Sequence, residues 1–378
     1  MLAKASDQHL PDEKMGEVKM TISLEEQKLN LALSLIINSG EISDKPDKIK
    51  IIESDINKSL KNSKATADKF SIVWGPAIFH INEKHHDKKY DHVVMIVKNS
   101  DNPIDYRLVI RGTWSKINEI DEDLSVLKTV DWSNWDTDIP QEFKGAKISH
   151  GTNLALNSII NDHPINDKKE LLVDVIDKIT TEEGKDKILN ITVTGHSLGG
   201  LLASTIGLYL KRRYINNNNI RIHACSFAGP TAGNDIFASY SDSFFKGTLS
   251  PNSYESHFLR IHNINDIVPL AWAKNDLKKI EKIYPILTIG VKIYIHKTHH
   301  INYTQLSPEF SFSEELNKHQ NLLDSIGFQH INAYPKHYQM SYKEIHGNST
   351  IPTGCDIVVV DSNLSKHIHD CFSSLIKD

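Results

Sequence analysis

The sequence predicts an α/β protein in which a mixed, mostly parallel sheet is flanked by helices, and three observations predict it. Residues 188–214, ILNITVTGHSLGGLLASTIGLYLKRRY, pass from a β-branched run that stops at a glycine into apolar residues at helical spacing. A turn-rich stretch at 216–219 and a further strand at 220–227 follow, and strand–helix–strand in that order is the parallel crossover unit. Ahead of it, three strand-like runs at 70–78, 92–98 and 106–111 are joined by polar connections that suit antiparallel neighbours.

Taken in order, residues 1–20 are polar and aperiodic and read as a mobile N-terminus. Ser23 with Glu26 makes a capping-box pattern, and Leu29, Ala32, Leu33, Ile36 and Ile37 predict an amphipathic helix ending near Gly40. A second, more polar helix over 56–67 completes an N-terminal helical segment, 21–69. The third strand-like run ends in Arg111, Gly112 and Thr113, where the glycine admits an unusual backbone angle and the next group can aim at a substrate oxygen. Ile117, Ile120, Leu124 and Leu127 then share one helical face opposite acidic residues, bracketed by Trp114, Trp132 and Trp135. Two readings of 114–128 stand open: ordinary packing, or a lid that meets lipid. Helices are expected at 153–161 and 167–181, and a strand at 257–263 delivers Asp266 just past its end. Residues 274–318 read as a lysine-rich insertion into a main domain of 70–340, and a second candidate lid. A C-terminal extension, 341–378, carries a strand at 356–360 and a helix at 364–376.

With 378 residues, 39% of them hydrophobic and 24% charged, the chain has the composition of a globular protein with a sizeable core. A formal net charge of -5 argues against nucleic acid as the main partner. Cys225, Cys355 and Cys371 are too few and scattered for a disulfide framework or a zinc site. No apolar run reaches the roughly 20 residues of a transmembrane segment, and the polar N-terminus lacks a Sec-type signal. The expectation is a soluble protein, cytoplasmic or exported by a signal-independent route. GxxxxGK, HExxH and paired CxxC are absent, so nothing in the sequence calls for a metal or a cofactor.

The chemistry-bearing feature is GHSLG, residues 195–199. A strand that turns sharply into a helix strains its corner residue, and side chains two positions either way collide unless they are tiny. Gly195 and Gly199 remove that collision and leave the Ser197 hydroxyl exposed, beside a helix N-terminus whose amides favour an oxyanion. A serine hydroxyl barely ionises at neutral pH, so it needs an imidazole and a carboxylate to orient it. Ser197, Asp266 and a later histidine fit the order Ser, Asp, His. His330 is the choice, in a loop after an amphipathic helix and before Tyr334 and Pro335, with His337 and His319 as runners-up and Asp276 as the rival carboxylate. His196 is set aside as base because adjacent residues on such a corner point apart.

Four motifs in order, LVIRGT, TVTGHSLGG, SFAGPTAGN and RIHNINDIVP, make the chain from about 70 to 338 resemble the fungal-type, or class three, lipases. IVWGPAIF, the His-Gly-Thr at 150–152 and QHINAY look more like the bacterial branch. The resemblance implies an α/β-hydrolase fold with Ser197 as nucleophile, Asp266 as orienting acid and His330 as base, and an oxyanion hole at Thr113 and Leu198. It implies hydrolysis of fatty-acyl lipid esters, of lipase or phospholipase A1 type, through an acyl-enzyme, with transient contact at a lipid surface. The competing readings are a catalytically silent domain that binds a lipid or protein, and a lipid acyltransferase. The lack of a signal sequence and disulfides, and the length of the insertion, depart from the secreted fungal enzymes.

Overall fold

The computed structural model describes residues 22–40, 46–79, 92–112, 125–166, 169–246, 248–249, 256–316 and 321–347. The strands are β1 (Phe70–Phe79), β2 (His92–Asn99), β3 (Asp105–Ile110), β4 (Thr129–Asp131), β5 (Lys147–Ser149), β6 (Leu189–His196), β7 (Ile220–Phe227), β8 (Gly233–Asn234), β9 (Phe258–Asn263), β10 (Tyr303–Thr304) and β11 (Glu309–Phe312). The main sheet runs β1-β2-β3-β6-β7-β9-β11, and a small sheet β10-β8-β5-β4. β1, β2 and β3 pair antiparallel, and every later pair of the main sheet is parallel, the mixed sheet that the run of motifs predicts.

Both faces of this sheet are buried, and the period-2 alternation of the strands sorts them between two cores. Val94 and Ile96 of β2, Leu108 and Ile110 of β3 and Ile191 and Val193 of β6 face one core, whereas Val93, Met95, Val97 and Val109 face the other. The first core is covered by α3 (His150–Asn161), α4 (Leu172–Glu183), α5 (Leu198–Arg213) and α6 (Asp235–Phe245), with α7 (Lys274–Ile283) and α8 (Thr288–Thr298) beyond them. The second lies under α1 (Leu24–Ile36) and α2 (Pro46–Asn62), together with α10 (Ala333–His337) and α11 (Tyr342–His346). Short α9 (Leu322–Gly327) leads into a π-helical turn, Phe328–Asn332, and then α10.

Several expectations are corrected. The capping box of α1 is present, but the helix is buried on nearly every side, Gln27, Asn30 and Ser34 included. These polar side chains have long-range partners: Tyr338 Oη donates to Gln27 at 2.7 Å, Arg107 Nε to Asn30 at 2.8 Å, and Ser34 meets Thr194 at 3.1 Å. The second helix covers 46–62 rather than 56–67. The insertion is not surface alone, because β11 pairs parallel with β9 and extends the main sheet. Trp132 is fully buried, with its ring 5.0 Å from Phe237, and so is a packing residue. The N-terminus 1–20, most of the candidate lid 114–128, and the strand and helix expected at 356–360 and 364–376 lie outside the described residues.

Candidate active site

Ser197 is the pivot between β6 and α5. Its backbone sits at φ 62, ψ −126, a conformation that L-residues rarely adopt and that surrounding structure must impose. The imposition is visible: the Ser197 amide donates to Phe227 O at 2.9 Å, and its carbonyl accepts from Gly200 at 2.9 Å and Leu201 at 3.1 Å. The motif's glycines are required by space. A Cβ on Gly195 would lie 2.3 Å from Gly199 O, and one on Gly199 would lie 2.2 Å from Ile110 O. β3 therefore ends against the turn, and a Cβ on Gly112 would lie 3.4 Å from the Ser197 Cβ.

The structure brings Ser197, His330 and Asp266 together. Ser197 Oγ lies 2.9 Å from His330 Nε2, and His330 Nδ1 lies 2.8 Å from Asp266 Oδ2. Ser197, Asp266 and His330 are all buried. A carboxylate only accepts, so Nδ1 carries the imidazole proton and the Nε2 lone pair faces the serine hydroxyl. Asp266 accepts two further bonds, from Val268 N to Oδ1 at 3.0 Å and from Tyr334 Oη to Oδ2 at 2.9 Å. Three donors thus hold the carboxylate's plane and, through it, the ring of His330.

Behind them is a shell that motif reading missed. Asn263, the last residue of β9, donates its amide to Tyr334 Oη at 3.1 Å, and its side chain donates to Gln329 O at 3.1 Å and Gln329 Oε1 at 2.5 Å. His196 Nε2 donates to the His330 carbonyl at 2.8 Å, and its ring lies 4.8 Å from that of His330. Burial first, and then the neighbouring His330, hold the His196 ring well below the ordinary imidazole value, so it stays neutral. His196 is therefore not idle. It anchors the backbone that carries His330. Its place beside the serine was the available signal. For Tyr334 the signal was its spacing of four from His330, since both side chains reach the same carboxylate oxygen.

His330 sits on the π-helical turn, not in a loop. π turns concentrate at functional sites, where the extra residue per turn re-aims side chains. Of the other candidates, His337 stacks on Phe312 with ring centres 4.1 Å apart, and Asp276 pairs with Lys279 at 2.6 Å near the start of α7. His319 and Thr113 lie outside the described residues. Leu198 is the first residue of α5, and the helix has no internal acceptor for its amide. Arg111, just before Gly112, is buried and donates to Asn38 O at 3.2 Å and Gly40 O at 3.1 Å, tying the end of α1 to this corner.

Residues 108–275 match the family model of the class 3 lipases. Among solved structures, the crystal structure of M37 lipase matches with a TM-score of 0.68 at 24% identity, covering 87% of this chain and 98% of that one. Lipase II from Rhizopus niveus matches at a TM-score of 0.44 and 21% identity over 67% and 76% of the two chains. Lip2 lipase from Yarrowia lipolytica matches at 0.41 and 16% over 72% and 82%. Residues 108–275, which hold both the Ser197 turn and Asp266, are similar to the class 3 lipases, and this match together with an α/β-hydrolase fold shared with M37 lipase supports a serine ester hydrolase.

Proposed function

We propose that the chain hydrolyses fatty-acyl lipid esters, as a lipase or a phospholipase of A1 type, with Ser197 as nucleophile, His330 as base and Asp266 as orienting acid. The observation that carries this reading is the unbroken chain of contacts from Ser197 Oγ through both His330 nitrogens to Asp266, at 2.9 Å and 2.8 Å. In the first half-reaction Nε2 takes the hydroxyl proton as Oγ attacks the ester carbonyl. The imidazolium, held by Asp266, then returns that proton to the departing alcohol. Water repeats the attack on the acyl-serine, again with His330 as base, and the fatty acid leaves.

The charge that develops on the carbonyl oxygen is met by the amide of Leu198 and by that of Thr113. Each such donor contributes about 3 kcal/mol to lowering the barrier. The strained turn matters here, because it keeps Oγ, the helix N-terminus and the end of β3 within one small volume.

The test is hydrolysis of triglyceride, monoglyceride and phosphatidylcholine over a series of chain lengths, with Ser197→Ala as the blank, together with fluorophosphonate labelling. Labelling of the parent but not of Ser197→Ala, with ester turnover lost in the variant, is the expected outcome. Labelling that persists in Ser197→Ala, or a parent silent on every acyl ester, overturns the proposal.

A further inference from the structure

Helices α7 and α8 and the turn between them have two unlike sides. The inner side belongs to the core: Leu277, Ile280, Tyr284, Leu287, Val291 and Tyr294 are buried. The ring of Trp272 lies tilted against that of Tyr294, with centres 5.2 Å apart. On the outer side Ile286 is 78% and Ile289 is 71% exposed, whereas no other large hydrophobic side chain among the described residues passes 53%. Burial elsewhere in the fold gains nothing from these two residues.

Charge surrounds them in a pattern. Lys274, Lys278 and Lys282 recur every four residues along one stripe of α7, and Lys292 follows Ile289 by three on α8. All four are exposed, and none forms an ion pair among the described residues. Residues 274–298 hold six lysines against two acids, an excess of four positive charges on a chain whose formal net charge is -5.

The hairpin also adjoins the site. Tyr284 Oη meets Ser325 Oγ at 3.1 Å, and Ser325 lies on α9, which runs directly into the turn bearing His330. The Tyr284 hydroxyl is pushed above its ordinary value by burial first, with a further contribution from the charge of Asp266, which places the two within electrostatic reach.

We propose that this hairpin is a docking surface for a lipid layer bearing anionic headgroups, with Ile286 and Ile289 entering the acyl boundary and Lys274, Lys278, Lys282 and Lys292 meeting the headgroups. A rigid apolar tip flanked by unpaired lysines is the chemistry of an interfacial anchor, whose binding is the sum of buried apolar area and attraction to anionic lipid. A symmetric dimer through this face would set two patches of excess positive charge against each other, so the charge selects an anionic layer over a second copy seated on the same face. Its use in catalysis rests on the lipid-ester reading, but its binding does not.

The test separates the two. The full chain carrying Ser197→Ala is sedimented with vesicles of phosphatidylcholine alone and of an equal mixture with phosphatidylglycerol. Expected are tighter partition onto the mixed vesicles, a loss of roughly fivefold for each lysine changed to Gln, and a loss on the order of tenfold for each of Ile286→Ser and Ile289→Ser. In the active background the same variants turn over a soluble short-chain ester within about twofold of the parent, which establishes that fold and site are intact. The proposal is overturned if the variants partition like the parent, if both vesicle types bind equally, or if Ile286→Ser instead converts a dimer to a monomer with no vesicle binding in the parent. Absent ester turnover with normal vesicle binding would sink the proposed activity and leave the anchor standing.

Discussion

Replacing Tyr334 by Phe removes one oxygen from a fully buried position and leaves the ring in place. That oxygen donates to Asp266 at 2.9 Å and accepts from the Asn263 amide at 3.1 Å. A hydrogen bond to a charged group contributes about 1.5–3 kcal/mol, and a buried amide left without an acceptor costs about 1–3 kcal/mol. Tyr334→Phe is therefore expected to destabilise the fold by roughly 3–5 kcal/mol. Burial, and then the charge of Asp266, push the phenol well above its ordinary value, so it remains a donor at every working pH. With one of three donors gone, the carboxylate and the imidazole it orients lose their fixed plane. A displacement of about 1 Å lowers kcat on the order of 100-fold. Urea unfolding and turnover of a soluble short-chain ester measure the two effects. A loss of stability below about 1 kcal/mol together with kcat within twofold of the parent would refute the assignment of Tyr334 as a positioning residue.

Acid sensitivity follows from buried histidines. Burial lowers His92 to about 4 and, with neighbouring cations adding to the effect, His223 and His262 to about 3. The unfolded chain then binds the extra protons, so stability is complete above pH 6.5 and falls as pH drops toward those values. At pH 5 each ring costs about 2 kcal/mol, and a urea midpoint that stays constant from pH 7 to pH 5 would contradict the account. Gly199→Ala sets a Cβ 2.2 Å from Ile110 O, where only backbone can yield. It is expected to cost about 3 kcal/mol or more and to lower turnover more than Gly207→Ala, whose Cβ would meet the Ala224 side chain at 2.9 Å. Trp132→Ala is expected to cost about 3–5 kcal/mol of stability with chain-length preference unchanged, as read by thermal unfolding and an ester series.

Much of this was legible because it is local. The strand at 220–227 has the bounds its sequence predicts, and the turn at Ser197 is written in two glycines that only one geometry requires. The capping box at Ser23 was equally readable. What escaped depends on distant partners. The polar residues of α1 read as a solvated face, yet they are buried because Arg107, Thr194 and Tyr338 come from elsewhere to satisfy them. The edge strand at 309–312 was hidden in a lysine-rich stretch, since its pairing with β9 is a tertiary choice that alternation alone does not carry. Tyr334 and Asn263 were unremarkable residue types until the chain closed around Asp266.

The π turn at Phe328–Asn332 has a consequence for how this chain can vary in length. His330 and Tyr334 reach one carboxylate oxygen because a widened coil sets their phase, and each residue added or removed upstream of Tyr334 would rotate it by about 100° about the axis. The polar connection at 216–219 can lengthen or shorten without turning any reactive group. The seven positions from 328 to 334 have no such freedom, so related chains are expected to keep their spacing here even where every surrounding loop has drifted.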